Sequence, residues 1–95
     1  MFLCGQTSSG SDIPDLEGQT RESLARVDAL LAEAGTDKSR LLTVTVYLKS
    51  MADFAKMNAC WKAWLGEAAA PARATVQAGL AADYLLVEFS VTAAA

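Results

Sequence analysis

Apolar and polar residues alternate along three stretches of the chain and recur every three to four residues along two others. Leu42, Val44, Val46 and Leu48 alternate with Thr43, Thr45 and Tyr47, which predicts a β-branched strand. Residues 73–78 and 85–91 carry the same period of two and predict two more strands, joined by a turn around 79–83. Residues 2–7 read as a short first strand, followed by the loop Ser8-Ser9-Gly10-Ser11-Asp12. Helical spacing appears first at Leu24, Val27, Leu31 and Ala34, with Asp15 able to cap the start and Gly35 at the C′ position. Arg21, Glu22, Arg26 and Glu33 fall toward solvent, with Glu22 and Arg26 at i,i+4. The second helical stripe is Phe54, Met57, Trp61, Trp64 and Leu65, preceded by Ser50-Met51-Ala52-Asp53 in the form of a capping box. Residues 66–70 are a loop, and Pro71 sets the entry to the next strand.

The order β-α-β-α-β-β predicts an α+β fold with two helices on one face of a mixed sheet, the helices serving as right-handed crossovers. Because side chains alternate across a strand, Leu85, Val87, Phe89 and Val91 form the bed for the helices. Placing Ala74, Val76 and Ala78 under the helices as well leaves Arg73, Thr75, Gln77, Glu88 and Thr45 on the uncovered face. Such a face, poor in charge yet not apolar, suits a subunit interface containing a polar pocket.

Composition narrows the choice. Residues 1–95 make one domain, too short to bury a large fraction of its surface. With 53% hydrophobic and 20% charged residues, some apolar surface is expected to be hidden between subunits. The net charge of −3 and the lack of a basic run give no electrostatic footprint for nucleic acid. No apolar run approaches a membrane span, and Met1-Phe2-Leu3-Cys4 has neither the basic region nor the length of a signal peptide, so a cytoplasmic location is expected. Cys4 and Cys60 are far apart and read as free thiols, Cys60 as buried packing. The absence of histidine removes Ser-His and Cys-His catalysis and most zinc sites, and no metal is expected.

Arg73 is the residue that most needs explaining. It lies in a run of small residues, Pro71-Ala72-Arg73-Ala74-Thr75-Val76, and a partly buried guanidinium requires an anion. Two readings stand: a structural ion pair with Glu88 or with an acid of a neighbouring subunit, or a fork that grips a ligand carboxylate. Glu88 is by the same measure either a solvated strand residue or a base, and Asn58 either a surface amide or a site residue. Trp61 and Trp64 read as core or interface aromatics.

Several runs together resemble one family. Cys4-Gly5-Gln6 is similar to its Ser-Gly-Gln, residues 19–35 to its first helix, and Thr45-Val46-Tyr47-Leu48 with Met51-Ala52-Asp53-Phe54 and Met57-Asn58 to its middle. Pro71-Ala72-Arg73-Ala74-Thr75-Val76 and Leu86-Val87-Glu88 are similar to its C-terminal signature. This is the Rid family, the reactive-intermediate deaminases of the RidA/YjgF type. The resemblance implies a chorismate-mutase-like fold and a homotrimer with a barrel-like centre, helices outside and clefts between subunits. It implies cofactor-independent hydrolysis of 2-imino acids or their enamine tautomers to 2-oxo acids and ammonium. The alternative is a non-catalytic trimer of the same fold that binds small carboxylates or partner proteins. By the same resemblance Arg73 holds the substrate carboxylate, Glu88 positions or activates water, and Asn58, Thr75, Gly5 and Cys4 line the cleft. Cys4 stands where the family has serine. A further segment that many members carry ahead of this point, with a cleft tyrosine, is expected to be missing.

Overall fold

The computed structural model describes residues 2, 3 and 5–94. Helix α1 spans Leu16–Glu33. Asp15 caps it, its Oδ2 accepting a hydrogen bond from the Gly18 N–H at 2.7 Å. At the other end Gly35 adopts φ 78°, and the N–H groups of Gly35 and Thr36 bond the carbonyls of Ala32 and Leu31 at 3.0 and 2.9 Å. This closure needs a left-handed residue, which is why glycine stands there. Leu16, Leu24, Val27 and Leu31 are buried toward the sheet, and Glu22 and Arg26 form the surface pair at 2.8 Å. Ala34, grouped above with the apolar stripe, is the exposed C-cap.

Strand β1 is Leu41–Leu48, helix α2 is Phe54–Leu65, β2 is Ala72–Gln77 and β3 is Val87–Ala93. A 3₁₀ turn, Met51–Asp53, leads into α2, and Ser50 Oγ accepts from the Ala52 N–H at 3.2 Å. Ser50 therefore caps this turn rather than α2 itself. The sheet order is β2-β1-β3, with β2 parallel and β3 antiparallel to β1. A parallel neighbour requires a crossover, which α2 supplies. The two final strands, contiguous in sequence apart from their turn, are thus separated by β1. The expected first strand is not a regular strand among the described residues; instead Phe2 and Gln6 make isolated antiparallel bridges to β3, at Thr92 and Phe89. Gln6 and Phe89 exchange backbone hydrogen bonds at 2.8 and 2.9 Å. Cys4 lies outside the described residues.

Both helices pack on one face of this mixed sheet. Val44, Val46, Leu48, Val87, Phe89, Val91 and Ala93 meet Leu24, Val27 and Leu31 of α1 and Met57, Trp61 and Leu65 of α2 in one buried cluster. The Trp61 ring stacks on Phe89, with centroids 6.2 Å apart and planes 6° from parallel. No helix among the described residues is long and apolar enough to cross a membrane.

In β2 the observed register reverses the expected faces. Arg73 is paired with Val44, Thr75 with Val46 and Gln77 with Leu48, so these three lie on the helix side. Ala72, Ala74 and Val76 are exposed on the open side, opposite Thr43, Thr45 and Tyr47. Ala74 and Val76 looked like core by hydropathy, but β2 is an edge strand that α2 covers only partly, leaving room for polar side chains beneath it. A shift of one residue exchanges the faces, and small residues specify that choice weakly. Glu88 and Thr45 do lie on the open face, together with Ser90 and Thr92.

A buried amide ties the loops to this frame. Gln19 is fully buried; its Nε2 donates to the carbonyls of Ile13 (3.0 Å) and Tyr84 (2.8 Å), and its Oε1 accepts from the Leu86 N–H (2.8 Å). One side chain therefore anchors the segment before α1 and the segment entering β3. Gln19→Leu leaves these backbone groups without partners and is expected to lower stability by about 2–3 kcal/mol. Urea unfolding should show a lower midpoint with an unchanged slope; an unchanged midpoint would contradict the clamp.

Candidate functional site

Arg73 projects from β2 toward the N-terminal half of α2. Three side chains of that helix receive it, Phe54, Asn58 and Trp61, at positions i, i+4 and i+7 of a single stripe. Arg73 Nη1 donates to Asn58 Oδ1 at 2.7 Å. The guanidinium carbon lies 5.7 Å from the Phe54 ring centroid and 5.5 Å from that of Trp61, within the range of cation–π attraction. Among the described residues no carboxylate lies within ion-pair distance of Arg73; the pair Glu22–Arg26 is remote from it in the fold. Thr75, two residues along the same face of β2, has a buried Oγ1 with no hydrogen-bond partner. The structure thus assembles Arg73, Asn58 and Thr75 at one edge of the sheet, with unspent donors on Arg73 and an unsatisfied hydroxyl beside it.

Glu88 belongs to a second cluster. It projects from β3 on the open face, opposite Tyr47. Its carboxylate packs against Gly5: a Cβ added to Gly5 would stand 2.3 Å from Glu88 Oε2 and 2.9 Å from its Cδ. Gly5 is the space that the Glu88 carboxylate occupies. The N-terminal segment brings Gly5 there by pairing with β3 at Gln6.

Within one chain the two clusters do not meet. Arg73 and Glu88 point to opposite faces, and β1 runs between their strands. Two strand spacings put them about 10 Å apart across the sheet. The structural ion pair between Arg73 and Glu88 of the same chain is therefore ruled out by topology. Two cavities lie elsewhere. One, about 720 Å³, is a groove between α1 and α2 that includes Ala25, Ala59, Cys60 and Trp64; the other, about 400 Å³, lies by Ser11, Pro14 and Tyr84. Neither includes Arg73 or Glu88. No group of three or more His, Cys, Asp or Glu side chains forms a metal-ligand set among the described residues.

Sequence reasoning placed Trp61 in the core, and it is there, only 5% exposed. It missed that the same ring, with Phe54, also flanks Arg73. The signal was available in the spacing of Phe54, Asn58 and Trp61, but only a known helix-to-strand register shows which side chain they receive.

The profile of the family described as Endoribonuclease L-PSP matches residues 1–95. A RutC family protein of Haemophilus ducreyi is 41% identical over 93 residues, covering 98% of this chain and 79% of its own length. The RutC family protein YoaB of Escherichia coli is 45% identical over 76 residues, 80% of this chain and 67% of its own. Among solved structures, NMB1025 of Neisseria meningitidis, a member of the YjgF protein family, superposes with a TM-score of 0.88 at 40% identity over 97% of this chain and 76% of its own. YyfA of Yersinia pestis, of the conserved Rid protein family, gives 0.92 at 28% identity over 99% of this chain and 79% of its own.

The contact of Gly5 with Glu88 makes a direct prediction. In Gly5→Ala the new methyl group displaces the carboxylate, which is the free end of a flexible side chain, so the fold should survive with a stability change below about 1 kcal/mol. The Glu88 carboxyl carbon resonance should move between the two proteins; an unmoved resonance would contradict the contact.

Proposed function

Since the chain belongs to the endoribonuclease L-PSP family, the group of the RutC, YjgF and Rid proteins, we propose that it binds small 2-imino and 2-oxo acids at Arg73 and hydrolyses the imines to 2-oxo acids and ammonium. The observation that carries this reading is a partly buried guanidinium held by a neutral amide and aromatic faces, with no carboxylate among the described residues to neutralise it. An arginine in that state presents a fork suited to a planar carboxylate. The unpartnered Thr75 hydroxyl beside it supports a polar ligand in the same crevice.

Glu88 acts on water in this mechanism. The water oxygen adds to the carbon of the protonated imine while Glu88 takes one water proton and passes it to the nitrogen of the carbinolamine; the carbinolamine hydroxyl then gives up its proton as the carbon–nitrogen bond breaks and the carbonyl forms, and the departing ammonia takes that proton to leave as ammonium. An iminium carbon is already electrophilic, so orientation and a held water suffice. Because Arg73 and Glu88 of one chain face apart, the reaction requires Arg73 of one chain beside Glu88 of another. The open face of β1, β2 and β3, carrying Thr43, Thr45, Tyr47, Ala74, Val76 and Ser90, is the surface over which a homotrimer would close. Gly5 would enter the cleft with Glu88, and Asn58 and Thr75 with Arg73. No cofactor takes part, and the reaction belongs in the cytoplasm, beside the pyridoxal-phosphate enzymes that release such imines. The net charge of −3 and the lack of a basic run speak against RNA as substrate, despite the name of the family profile.

A second reading has one observation in its favour. The Arg73 crevice is formed without Glu88, so carboxylate binding does not depend on the hydrolytic machinery. A trimer that binds without turnover is the corresponding alternative.

A coupled assay decides between them: a threonine dehydratase generates 2-iminobutanoate, a nucleophilic trap competes for it, and 2-oxobutanoate release is followed. The enzyme is expected to accelerate release, and Arg73→Ala to lose about 10- to 100-fold in efficiency, with Arg73→Lys only partly restoring it. Binding of 2-oxobutanoate without acceleration supports the binding module. Arg73→Ala with undiminished turnover contradicts the assignment.

A further inference from the structure

We propose that Phe54 and Trp61 are positioning residues that fix the plane of the Arg73 guanidinium, so that a single in-plane edge of the fork is presented to an incoming carboxylate. The socket itself is a property of the free protein; its role in binding rests on the reading of Arg73 given above.

A guanidinium is flat, and all its N–H bonds lie in its plane, while its two faces are weakly hydrated. Rings that flank it take up the faces and leave the edges free. Here Phe54 and Trp61 flank the guanidinium carbon at 5.7 and 5.5 Å, and between them on the same helical stripe Asn58 takes an Nη1 hydrogen at 2.7 Å. Together these three contacts restrict where the group can sit and how far it can turn about the last side-chain bonds. The freedom that an arginine ordinarily loses on binding is thereby lost beforehand.

The bed is itself rigid. Trp61 is 5% exposed, stacks on Phe89 at 6.2 Å and meets Trp64 at 5.5 Å. Trp64 is pinned in turn by its indole N–H on Asp28 Oδ2 at 2.8 Å and carries the Lys38 ammonium 5.1 Å above its ring. Phe89 is fully buried and lies in β3. Trp61 therefore cannot turn away from Arg73 without disturbing the stack beneath it. A purely structural tryptophan would need only the contacts with Phe89 and Trp64; the flanking of Arg73 from the same stripe as Asn58 is additional.

Two measurements test this. In a ¹H–¹⁵N spectrum of the free protein, the Arg73 Nε–H signal should be displaced by ring currents from those of the exposed Arg21 and Arg40, and Trp61→Leu should return it toward them. Titration of 2-oxobutanoate by calorimetry should show about five- to tenfold weaker binding in Trp61→Leu, and near-native binding in Trp61→Phe, which keeps a ring face. If Trp61→Leu fails to fold, Phe54→Leu at the half-buried end of the socket should shift both readouts in the same direction. An Arg73 signal indistinguishable from the exposed arginines overturns the proposal, as does a folded Trp61→Leu or Phe54→Leu that binds as the native protein does. A native protein that shows the displaced signal yet binds no 2-oxobutanoate confirms the socket and overturns the carboxylate reading instead.

Discussion

The proposed function rests on a cation that has no counter-charge among the described residues. Arg73 is half sunk between β2 and α2, where an unpaired cation is costly to keep, and among the described residues its side-chain hydrogen-bond acceptor is the neutral amide of Asn58. The rings of Phe54 and Trp61 offset part of that cost through their negative faces, but they do not neutralise the group. An anion from outside the chain would complete the arrangement. Much of the local architecture serves to hold this one group ready: the stripe on α2, the stacked aromatics beneath it, and the parallel register that aims Arg73 under the sheet edge.

Sheet order imposes the second constraint. With β1 between β2 and β3, and with Arg73 and Glu88 on opposite faces, a single chain keeps the two clusters apart. Each is built locally. Arg73 depends on the crossover through α2, and Glu88 on the N-terminal segment that places Gly5 against its carboxylate. The open face between them carries small and hydroxyl-bearing side chains, with Glu88 as its carboxylate, and it is the surface through which a neighbouring chain would bring the halves together.

Much of this was legible in the sequence, for identifiable reasons. The alternation of Val44, Val46 and Leu48 and the spacing of Leu24, Val27 and Leu31 located the core, because burial there is deep and two elements agree on it; Leu42, expected on the same face, is exposed, since a register irregularity at the start of β1 buries Leu41 instead. Asp15 and Gly35 marked the ends of α1 through the chemistry of capping. The face of β2 was misread because Ala74 and Val76 are small enough for either side, and pairing with β1 decides the matter. That error put Arg73 on the open face beside Glu88, whereas the register sets it among the α2 aromatics. The buried polar stripe of Gln19, Thr20 and Ser23 was also hidden: Thr20 and Ser23 donate to the carbonyls of Leu16 and Gln19 one turn back in α1, whereas Gln19 depends on carbonyls of Ile13 and the distant Tyr84. The pairing of Gly5 with Glu88 joins residues at opposite ends of the sequence, and no periodicity reports such a contact.

The most direct test of the central claim is a crystal structure of the assembled protein soaked with 2-oxobutanoate. The account predicts the carboxylate bound in two-point fashion to the free edge of Arg73, with Glu88 of an adjoining chain near the keto carbon. A protein acid already paired with Arg73 across the interface, leaving no space for the ligand, would contradict it.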